Sequence, residues 1–457
     1  MNKLMSRAKL LIIPILILAL GFSAFAGEYF LRSGEWILFP GSPHVYNAGN
    51  LGCGVVSDRD GVMLLDIRGQ REYPQNQLLR SSIVHWLGDR QGNISAPALS
   101  YYAEEIAGFD PVSGMYAYGG IGGQAKLTLS AQLQIAALEA MGDYKGTIAI
   151  FNYETGEILC AVTTPTYDPD HMPDILGDTS GAYSGAFVNR FTQSTYTPGS
   201  IFKIVTAAAA LEHIPDIQEQ TFTCNGVLDY GNEDVTCEKA HGTLGFREAF
   251  SRSCNCAFAQ MADQLGGKVL EEYVAKFGVL ESVSFDGIRT ASGKIQAAGQ
   301  APVSIAWSAI GQHMDLVNPC AYLRFIGAIA NGGVTASPYI VNSIQVGMKT
   351  TYESKQDRGE RIMTAETANI LQEMLRSTVR DYYGDEAFPG LTVCAKSGTA
   401  EVGKGKKPNA MFTGFLEDTG MPLAFIVCIE DGGYGRQTCV PVLVPVLQAC
   451  KQLLCAE

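Results

Sequence analysis

Three short groups of polar residues occur in order along the chain, and their types and spacing suit acyl transfer. They are Ser200-Ile201-Phe202-Lys203, Ser253-Cys254-Asn255 and Lys396-Ser397-Gly398-Thr399. If the first group opens a helix, Ser200 and Lys203 share a face, because residues three apart are neighbours there. A buried, uncharged Lys203 would then activate the Ser200 hydroxyl as a nucleophile, close to the positive end of the helix dipole.

The second and third groups supply the other functions that a serine acyltransferase needs. Ser253 offers a hydroxyl that can relay a proton, and Asn255 offers an amide that can bind a peptide group. On an edge strand, Lys396, Ser397 and Thr399 would present a cation and two hydroxyls to a substrate carboxylate.

Two further features complete this hypothesis. We expect Gly398 to let the substrate backbone approach the strand closely, and the N–H groups of Ser200 and Thr399 to form an oxyanion site. A single Ser-x-x-Lys match carries little weight, since Ser6-Arg7-Ala8-Lys9 matches as well. The ordered triple is much more specific, because it is typical of penicillin-interacting serine transferases and hydrolases.

Helices and strands must bring these distant groups together. Antiparallel strands near both ends of the segment, with mainly helices between them, indicate an α+β domain whose sheet is assembled from distant parts of the chain. In the last expected helix, Pro445 falls in the first turn, where proline is tolerated. The expected helices cover 130–141, 200–213, 316–331 and 444–454, and the expected strands cover 146–152, 157–163, 391–396, 410–416 and 423–429.

The N-terminus predicts a membrane anchor. Basic residues in the segment 1–9 precede an apolar run over 10–26, which is long enough to span a bilayer. Because the basic residues come first, we expect the tail to stay cytoplasmic and the body to be exported. A cleaved signal peptide is the alternative, since Ala24-Phe25-Ala26 fits a signal peptidase site.

Composition limits the classes of function. The 457 residues carry a net charge of −13, which argues against nucleic acid as a partner because phosphate binding relies on Lys and Arg. With 47% hydrophobic and 17% charged residues, the chain is typical of a globular protein.

Further segments match motifs of one known family. They are VVSDRD at 55–60, Leu127-Thr128-Leu129 with Gln134, PTYDP at 165–169, Tyr196-Thr197-Pro198-Gly199-Ser200, Gly311-Gln312, Ala330-Asn331-Gly332-Gly333 and TGF at 413–415. Together with the ordered triple, they make residues 50–440 resemble the class B penicillin-binding proteins, the bitopic D,D-transpeptidases of cell-wall synthesis. Ser130 replaces an aspartate usual in the family, and Lys-Ser-Gly replaces the commoner Lys-Thr-Gly.

The resemblance implies a role for each residue of the triple. Ser200 would attack the penultimate D-Ala carbonyl of a stem peptide, with Lys203 as general base. Ser253 would relay the proton to the leaving D-Ala, and Asn255 would hold the peptide amide.

The third group would handle the substrate carboxylate. Lys396 would polarise the Ser253 side, while Ser397 and Thr399, with Gly398 between them, would bind the terminal carboxylate of the stem peptide. The acyl-enzyme would then pass to an amine of a second stem. β-Lactams would acylate the same serine and leave slowly, and catalysis would need no cofactor.

The N-terminal pattern, the Gly- and turn-rich segment after it and the resemblance together give an organisation for the chain. We expect a cytoplasmic tail over 1–9, a transmembrane anchor over 10–26, a non-catalytic pedestal module over 27–125 and a transpeptidase domain over 126–457. The protein would be a single-pass protein of the cell membrane with its catalytic domain outside the cytoplasm. Glycan polymerisation would fall to a multi-spanning partner of the elongation or division machinery.

Two other functions are open at this point. A D,D-carboxypeptidase or β-lactamase of the same superfamily would need a base that activates the deacylating water. A catalytically silent scaffold or β-lactam sensor is disfavoured by the intact triple and by the short tail, which leaves no room for a signalling module.

A second group of residues lies beside the first two motifs. Cys224, Cys237, His241 and Cys254 have the spacing C-x12-C-x3-H-x12-C, and three thiolates with an imidazole suit tetrahedral zinc. Some elongation-type members of the family have a zinc site in this region. We favour a structural zinc ion, with a Cys224–Cys237 disulfide or free thiols as the alternatives.

Overall fold

The computed structural model describes residues 2–39, 41–42, 45–47, 50–116, 122–231, 233–356, 358–403 and 405–454. The helices are α1 (Asn2–Ile37), α2 (Gln77–Leu87), α3 (Pro97–Tyr101), α4 (Ala103–Ala107), α5 (Ala131–Met141), α6 (Arg190–Gln193), α7 (Lys203–His213), α8 (Phe246–Ser251), α9 (Asn255–Lys276), α10 (Pro302–Ala309), α11 (Pro319–Ala330), α12 (Ala365–Thr378) and α13 (Gly435–Leu454).

The strands form two five-stranded sheets and several two-stranded ladders. They are β1 (Tyr46–Asn47), β2 (Asn50–Leu51), β3 (Val55–Ser57), β4 (Met63–Asp66), β5 (Gln124–Leu127), β6 (Lys145–Asn152), β7 (Ile158–Thr164), β8 (Thr221–Cys224), β9 (Val227–Asp229), β10 (Asp234–Thr236), β11 (Gly242–Gly245), β12 (Ser284–Phe285), β13 (Ile288–Arg289), β14 (Val334–Ala336), β15 (Val341–Val346), β16 (Lys349–Glu353), β17 (Arg358–Arg361), β18 (Val393–Ala400), β19 (Asn409–Leu416) and β20 (Leu423–Glu430).

The central sheet is antiparallel and has the order β18-β19-β20-β6-β7. The inner strands β6, β19 and β20 are buried along most of their length because helices cover both faces. Ile148 and Ile150 of β6 pack on the side of α5 and α13, whereas Ala149 and Phe151 join the core that contains α7 and α11. The predicted hairpin, the three later strands and the α+β class are confirmed, and β18 is an edge strand.

The C-terminal helix differs from its prediction. It begins at Gly435 rather than at residue 444, so Pro441 and Pro445 both lie inside it. A proline inside a helix costs about 3 kcal/mol because it removes a backbone hydrogen bond and crowds the preceding turn. Burial of apolar residues such as Leu443 and Val446 against the central sheet offsets this cost, which local sequence rules do not include.

The second sheet has the order β16-β15-β5-β3-β4 and combines residues from both halves of the chain. β15 runs antiparallel to β5, and β3 runs parallel to it. The sheet therefore takes strands from both sides of the boundary expected between residues 125 and 126. The division into a pedestal and a transpeptidase domain stays a prediction.

The N-terminal helix extends well beyond the apolar run over 10–26. Within the described part of the chain, one segment, Lys9–Ile37 of α1, is long and apolar enough to cross a membrane. Ser33 and Ile37 in its final turns are buried against the body of the protein. The helix thus reaches from the candidate anchor to α4 of the body.

Candidate active site

The turn that carries Ser200 is held by close backbone contacts. Residues Gly199–Phe202 form a 3-10 turn that leads into α7, so Ser200 precedes the α-helix rather than lying in its first turn. Gly199 has a φ of +56°, and a Cβ there would lie 2.6 Å from the carbonyl oxygen of Thr399. The N–H of Gly199 donates to the oxygen of Gly311 at 2.8 Å. These contacts hold the serine against the edge strand β18.

Lys203 lies at the centre of the site, fully buried beneath Ser200. Its Nζ is 3.0 Å from Ser200 Oγ, 2.6 Å from Asn255 Oδ1, and 2.7 and 3.1 Å from the carbonyl oxygen and Oγ of Ser253. Burial, reinforced by the nearby charge of Lys396, holds the pKa of this amine well below its ordinary value. Lys203 is therefore suited to be uncharged in the resting enzyme.

The neighbours of Lys203 determine where its lone pair is available. An uncharged amine has two N–H groups and one lone pair. The Ser253 carbonyl oxygen and Asn255 Oδ1 can only accept, so they take the two N–H groups. The amide of Asn255 is oriented by its Nδ2, which donates to the oxygen of Thr236 at 2.8 Å. The lone pair is left for the hydroxyls, and Ser200 Oγ is the closer one.

Ser253 connects the two lysines of the site. Its Oγ lies 3.1 Å from the Nζ of Lys203 and 3.1 Å from that of Lys396. It occupies the left-handed region, with a φ of +54°, just before α9, whose N-cap is Cys254. Such a conformation is costly for a residue with a side chain and persists because the surrounding structure holds it. It places the hydroxyl where a proton can pass between the two amines.

The third group lies on β18 as expected, and its successive side chains point to opposite faces of the strand. Lys396 is buried, and burial lowers its pKa to about 7. Its Nζ also donates to the carbonyl oxygen of Ser397 at 3.1 Å. Ser397 and Thr399 line, with Ser200, a cleft of about 900 Å³. The Thr399 hydroxyl accepts from Gly435 N at 3.2 Å, which leaves its own O–H free to donate into the cleft.

Gly398 lies against the turn that carries Ser200, a contact that the sequence did not indicate. A Cβ at this position would lie 2.7 Å from the oxygen of Pro198 and 3.1 Å from Cγ2 of Ile201. The turn that carries Ser200 therefore already excludes a side chain at this position, and the close approach of a substrate to Gly398 stays a prediction.

This contact predicts the effect of Gly398→Ala. The added methyl would push the Ser200 turn away from β18, lowering the free energy of unfolding by about 1–3 kcal/mol. The acylation rate should fall more than tenfold, because the geometry at Ser200 is lost. Thermal melts and acylation by a fluorescent penicillin measure the two effects. Gly245→Ala is the matched control, since a Cβ at Gly245 has nothing within 4 Å. Equal behaviour of the two variants would contradict the prediction.

Two contacts at the site involve residues that no motif indicated. The Tyr383 hydroxyl lies 2.8 Å from Ser397 Oγ, and the Tyr322 hydroxyl donates to the oxygen of Ile201 at 2.7 Å. Tyr383 comes from a π-helical turn over Val379–Tyr383 and Tyr322 from α11. Both are brought in by tertiary packing, and the sequence contains no signal that could have found them.

The four candidate metal ligands come together beside Ser253. Their ligand atoms all lie within 4.8 Å of one another. His241 Nδ1 is 3.5 Å from the Sγ atoms of Cys224 and Cys237, and the Sγ atoms of Cys237 and Cys254 are 4.0 Å apart. Zinc–sulfur bonds of about 2.3 Å in a tetrahedron put two sulfurs about 3.8 Å apart, so the donor set fits zinc. Cys224 and Cys237 are free thiols here, not a disulfide.

Comparison with known proteins identifies the family of the chain. Residues 146–448, more than half of the chain, match the family described as penicillin binding protein transpeptidase domain. The chain belongs to this family. The resemblance to class B penicillin-binding proteins is confirmed, and transpeptidases of this family need no catalytic cofactor.

Relatives and solved structures extend the match beyond the family segment. Peptidoglycan D,D-transpeptidase PbpA of Mycobacterium tuberculosis is 29% identical over 365 residues, covering 72% of this chain and 73% of that protein. A ceftriaxone acyl-enzyme structure of penicillin-binding protein A from M. tuberculosis has a TM-score of 0.76 at 24% identity, and the match covers 87% of this chain and 98% of that one. The complex of Helicobacter pylori PBP2 with MreC has a TM-score of 0.65 at 20% identity, and the match covers 74% of this chain and 66% of that one. These structures share the fold of this transpeptidase.

Proposed function

We propose that this chain is a peptidoglycan D,D-transpeptidase that cross-links stem peptides through an acyl-enzyme on Ser200. The observation that carries the proposal is the position of the buried Lys203 amine. It lies 3.0 Å from Ser200 Oγ, and its two N–H groups are occupied by acceptors. The name of the M. tuberculosis relative, a peptidoglycan D,D-transpeptidase, supports the same reaction.

Acylation begins when Ser200 Oγ attacks the penultimate D-Ala carbonyl of the donor stem and its proton passes to the Lys203 lone pair. The oxyanion of the tetrahedral intermediate is stabilised by the N–H groups of Ser200 and Thr399. When the peptide bond breaks, the leaving D-Ala amine takes a proton from the Ser253 hydroxyl. Ser253 recovers it from Lys203, whose Nζ lies 3.1 Å away.

The donor carboxylate and the acceptor amine complete the cycle. Ser397 and Thr399 donate from the cleft wall to the terminal carboxylate, with the Lys396 amine behind them. Asn255 keeps one amide N–H that is not used by Thr236, and it donates this group to the donor peptide. After D-Ala leaves, an amine of a second stem attacks the ester and loses its proton to Lys203. Lys203 returns this proton to Ser200 Oγ as the ester bond breaks, so a new peptide bond forms and the resting enzyme is restored.

The proposal includes a location and a partner. The apolar part of α1 spans the cell membrane once, with the basic segment 1–9 on the cytoplasmic side and the catalytic domain outside. The chain is divided into an anchor over 10–26, a pedestal over 27–125 and a transpeptidase domain over 126–457. A multi-spanning polymerase supplies the glycan. The H. pylori PBP2–MreC complex is a precedent for protein partners of this fold.

A structural zinc ion is the second part of the proposal. Cys224, Cys237, His241 and Cys254 would hold it, joining β8 and the loop before β11 to the N-terminus of α9. The chemistry that zinc supplies here is structural, since four protein ligands leave no open coordination position. Cys254 lies between Ser253 and Asn255, so this group of ligands also fixes the strained backbone of the second motif.

Intact mass spectrometry after incubation with penicillin G tests the function. We expect the folded protein to gain the mass of one penicillin, with the adduct on the peptide that contains Ser200 and persisting for hours. Heat-denatured protein and pre-hydrolysed penicillin are the controls. An adduct that disappears within seconds with drug turnover would indicate a β-lactamase. The absence of both adduct and turnover would overturn the proposal and leave the silent scaffold.

A further inference from the structure

The hydroxyl of Tyr383 contacts the open edge of β18 beside the substrate cleft. It lies 2.8 Å from Ser397 Oγ and accepts a hydrogen bond from Ser397 N at 3.0 Å. Because β18 is the edge strand of its sheet, this N–H has no partner strand. Tyr383 thus binds both the main chain and the side chain of a residue that lines the cleft. It ends a π-helical turn, a feature that is frequent at functional sites.

The position of the Tyr383 ring is fixed from several sides. Arg436 of α13 donates to the carbonyl oxygens of Tyr382 and Tyr383, at 3.2 and 2.5 Å. Its guanidinium carbon also lies 5.5 Å from the centre of the Tyr383 ring. The ring packs against Phe412 at a centroid distance of 5.9 Å, and Tyr383 is 8% exposed. The hydroxyl therefore cannot follow a moving Ser397 but holds it in place.

A bound carboxylate determines the direction of the Tyr383–Ser397 hydrogen bond. Without a ligand, either hydroxyl could be the donor. A carboxylate only accepts hydrogen bonds, so Ser397 must donate to it. The Ser397 oxygen then accepts from the Tyr383 O–H. The resulting series of hydrogen bonds runs from Tyr383 through Ser397 to the carboxylate, and each hydrogen bond in such a series strengthens the next.

We propose that Tyr383 is a positioning residue that orients the Ser397 hydroxyl toward the carboxylate of the donor substrate. The proposal rests on the proposed function, in which Ser397 binds that carboxylate. It makes Tyr383 a determinant of specificity for ligands with a free carboxylate. Ligands that lack this charge do not need the oriented hydroxyl and are acylated independently of Tyr383.

Tyr383→Phe tests this role through a ratio of two rates. The second-order rate of Ser200 acylation is measured with penicillin G and with its methyl ester, which has no free carboxylate. We expect the ratio of the penicillin rate to the ester rate to fall about tenfold, which corresponds to one weakened hydrogen bond to a charged group. In a Ser397→Ala background the same substitution should change nothing further, because the pair acts as one unit.

The matched control is Tyr382→Phe, whose hydroxyl accepts from Arg252 Nε at 3.3 Å. It should leave the ratio unchanged. An unchanged ratio in Tyr383→Phe, or equal losses with both ligands, overturns the proposal, because the second result indicates a general structural effect. Failure of wild-type protein to be acylated at all would instead overturn the proposed function.

A second measurement applies if Tyr383→Phe does not fold. Fluorinated tyrosine incorporated at position 383 keeps the shape of the ring and makes the hydroxyl a stronger donor. The ratio of the penicillin rate to the ester rate should then rise. A ratio that stays constant or falls in this folded protein overturns the proposal.

Discussion

Replacement of Lys203 by methionine is expected to lower the acylation rate of Ser200 by about 10³-fold, the usual contribution of a positioned general base. Methionine has a similar volume and needs no hydrogen bonds, so the buried position should stay filled. The substitution removes the lone pair that lies 3.0 Å from Ser200 Oγ. Stopped-flow or quenched acylation by a fluorescent penicillin measures the rate.

The controls separate loss of the base from loss of the fold. Lys294→Met removes an exposed lysine and should acylate at the wild-type rate. The Lys203→Met protein should stay folded, because removal of a buried amine with a lowered pKa offsets the loss of a donor for Ser253 O and Asn255 Oδ1. A folded Lys203→Met protein that is acylated within tenfold of the wild-type rate would exclude Lys203 as the base.

The pH dependence of acylation tests the protonation state of the same amine. The reactive form has an uncharged Lys203, so the rate should rise with pH as this group loses its proton and then level off. Burial and the charge of Lys396 lower the pKa of Lys203, so the plateau should begin well below pH 10.5. A rate that continues to rise up to pH 10.5 would mean that Lys203 is charged in the resting enzyme.

The sequence was sufficient to select the candidate catalytic residues that the structure brings together, because each motif is local. The Ser200–Lys203 spacing, the second motif and the third motif each occupy a few consecutive residues. The central strands were also predictable, since both faces of β6 are buried and its apolar run is continuous. In these cases the information lies within one short segment.

Other features depend on contacts between distant segments, and local patterns do not contain them. The second sheet pairs β5 with β15, more than two hundred residues away, and no local pattern around residue 125 indicates this pairing. The start of α13 depends on burial against the sheet, which outweighs Pro441. The packing of Gly398 against Pro198 is likewise visible only in the fold, since the two residues are two hundred positions apart in the sequence.

Removal of the proposed metal ion is expected to destabilise the second motif together with the loop around it. We expect about one zinc per chain in protein purified without chelators, measured by elemental analysis. Cys224→Ser or metal stripping should lower the melting temperature by on the order of 10 °C, since binding of structural zinc contributes directly to folding. The acylation rate should fall with it, because Cys254 is a proposed ligand and lies between Ser253 and Asn255.

Cys256→Ala is the matched control for this prediction, because Cys256 lies two residues after Cys254 but outside the four ligands. It should keep its zinc and its melting temperature to within a few degrees.

Fewer than about 0.2 zinc per chain in wild-type protein would exclude the ion, given the tight binding expected of such a site. Mass spectrometry would then distinguish a Cys224–Cys237 disulfide from free thiols. A disulfide would constrain β8 and the loop after it but leave Cys254 unattached, so reduction should change the melting temperature while the geometry of Ser253 and the acylation rate stay the same.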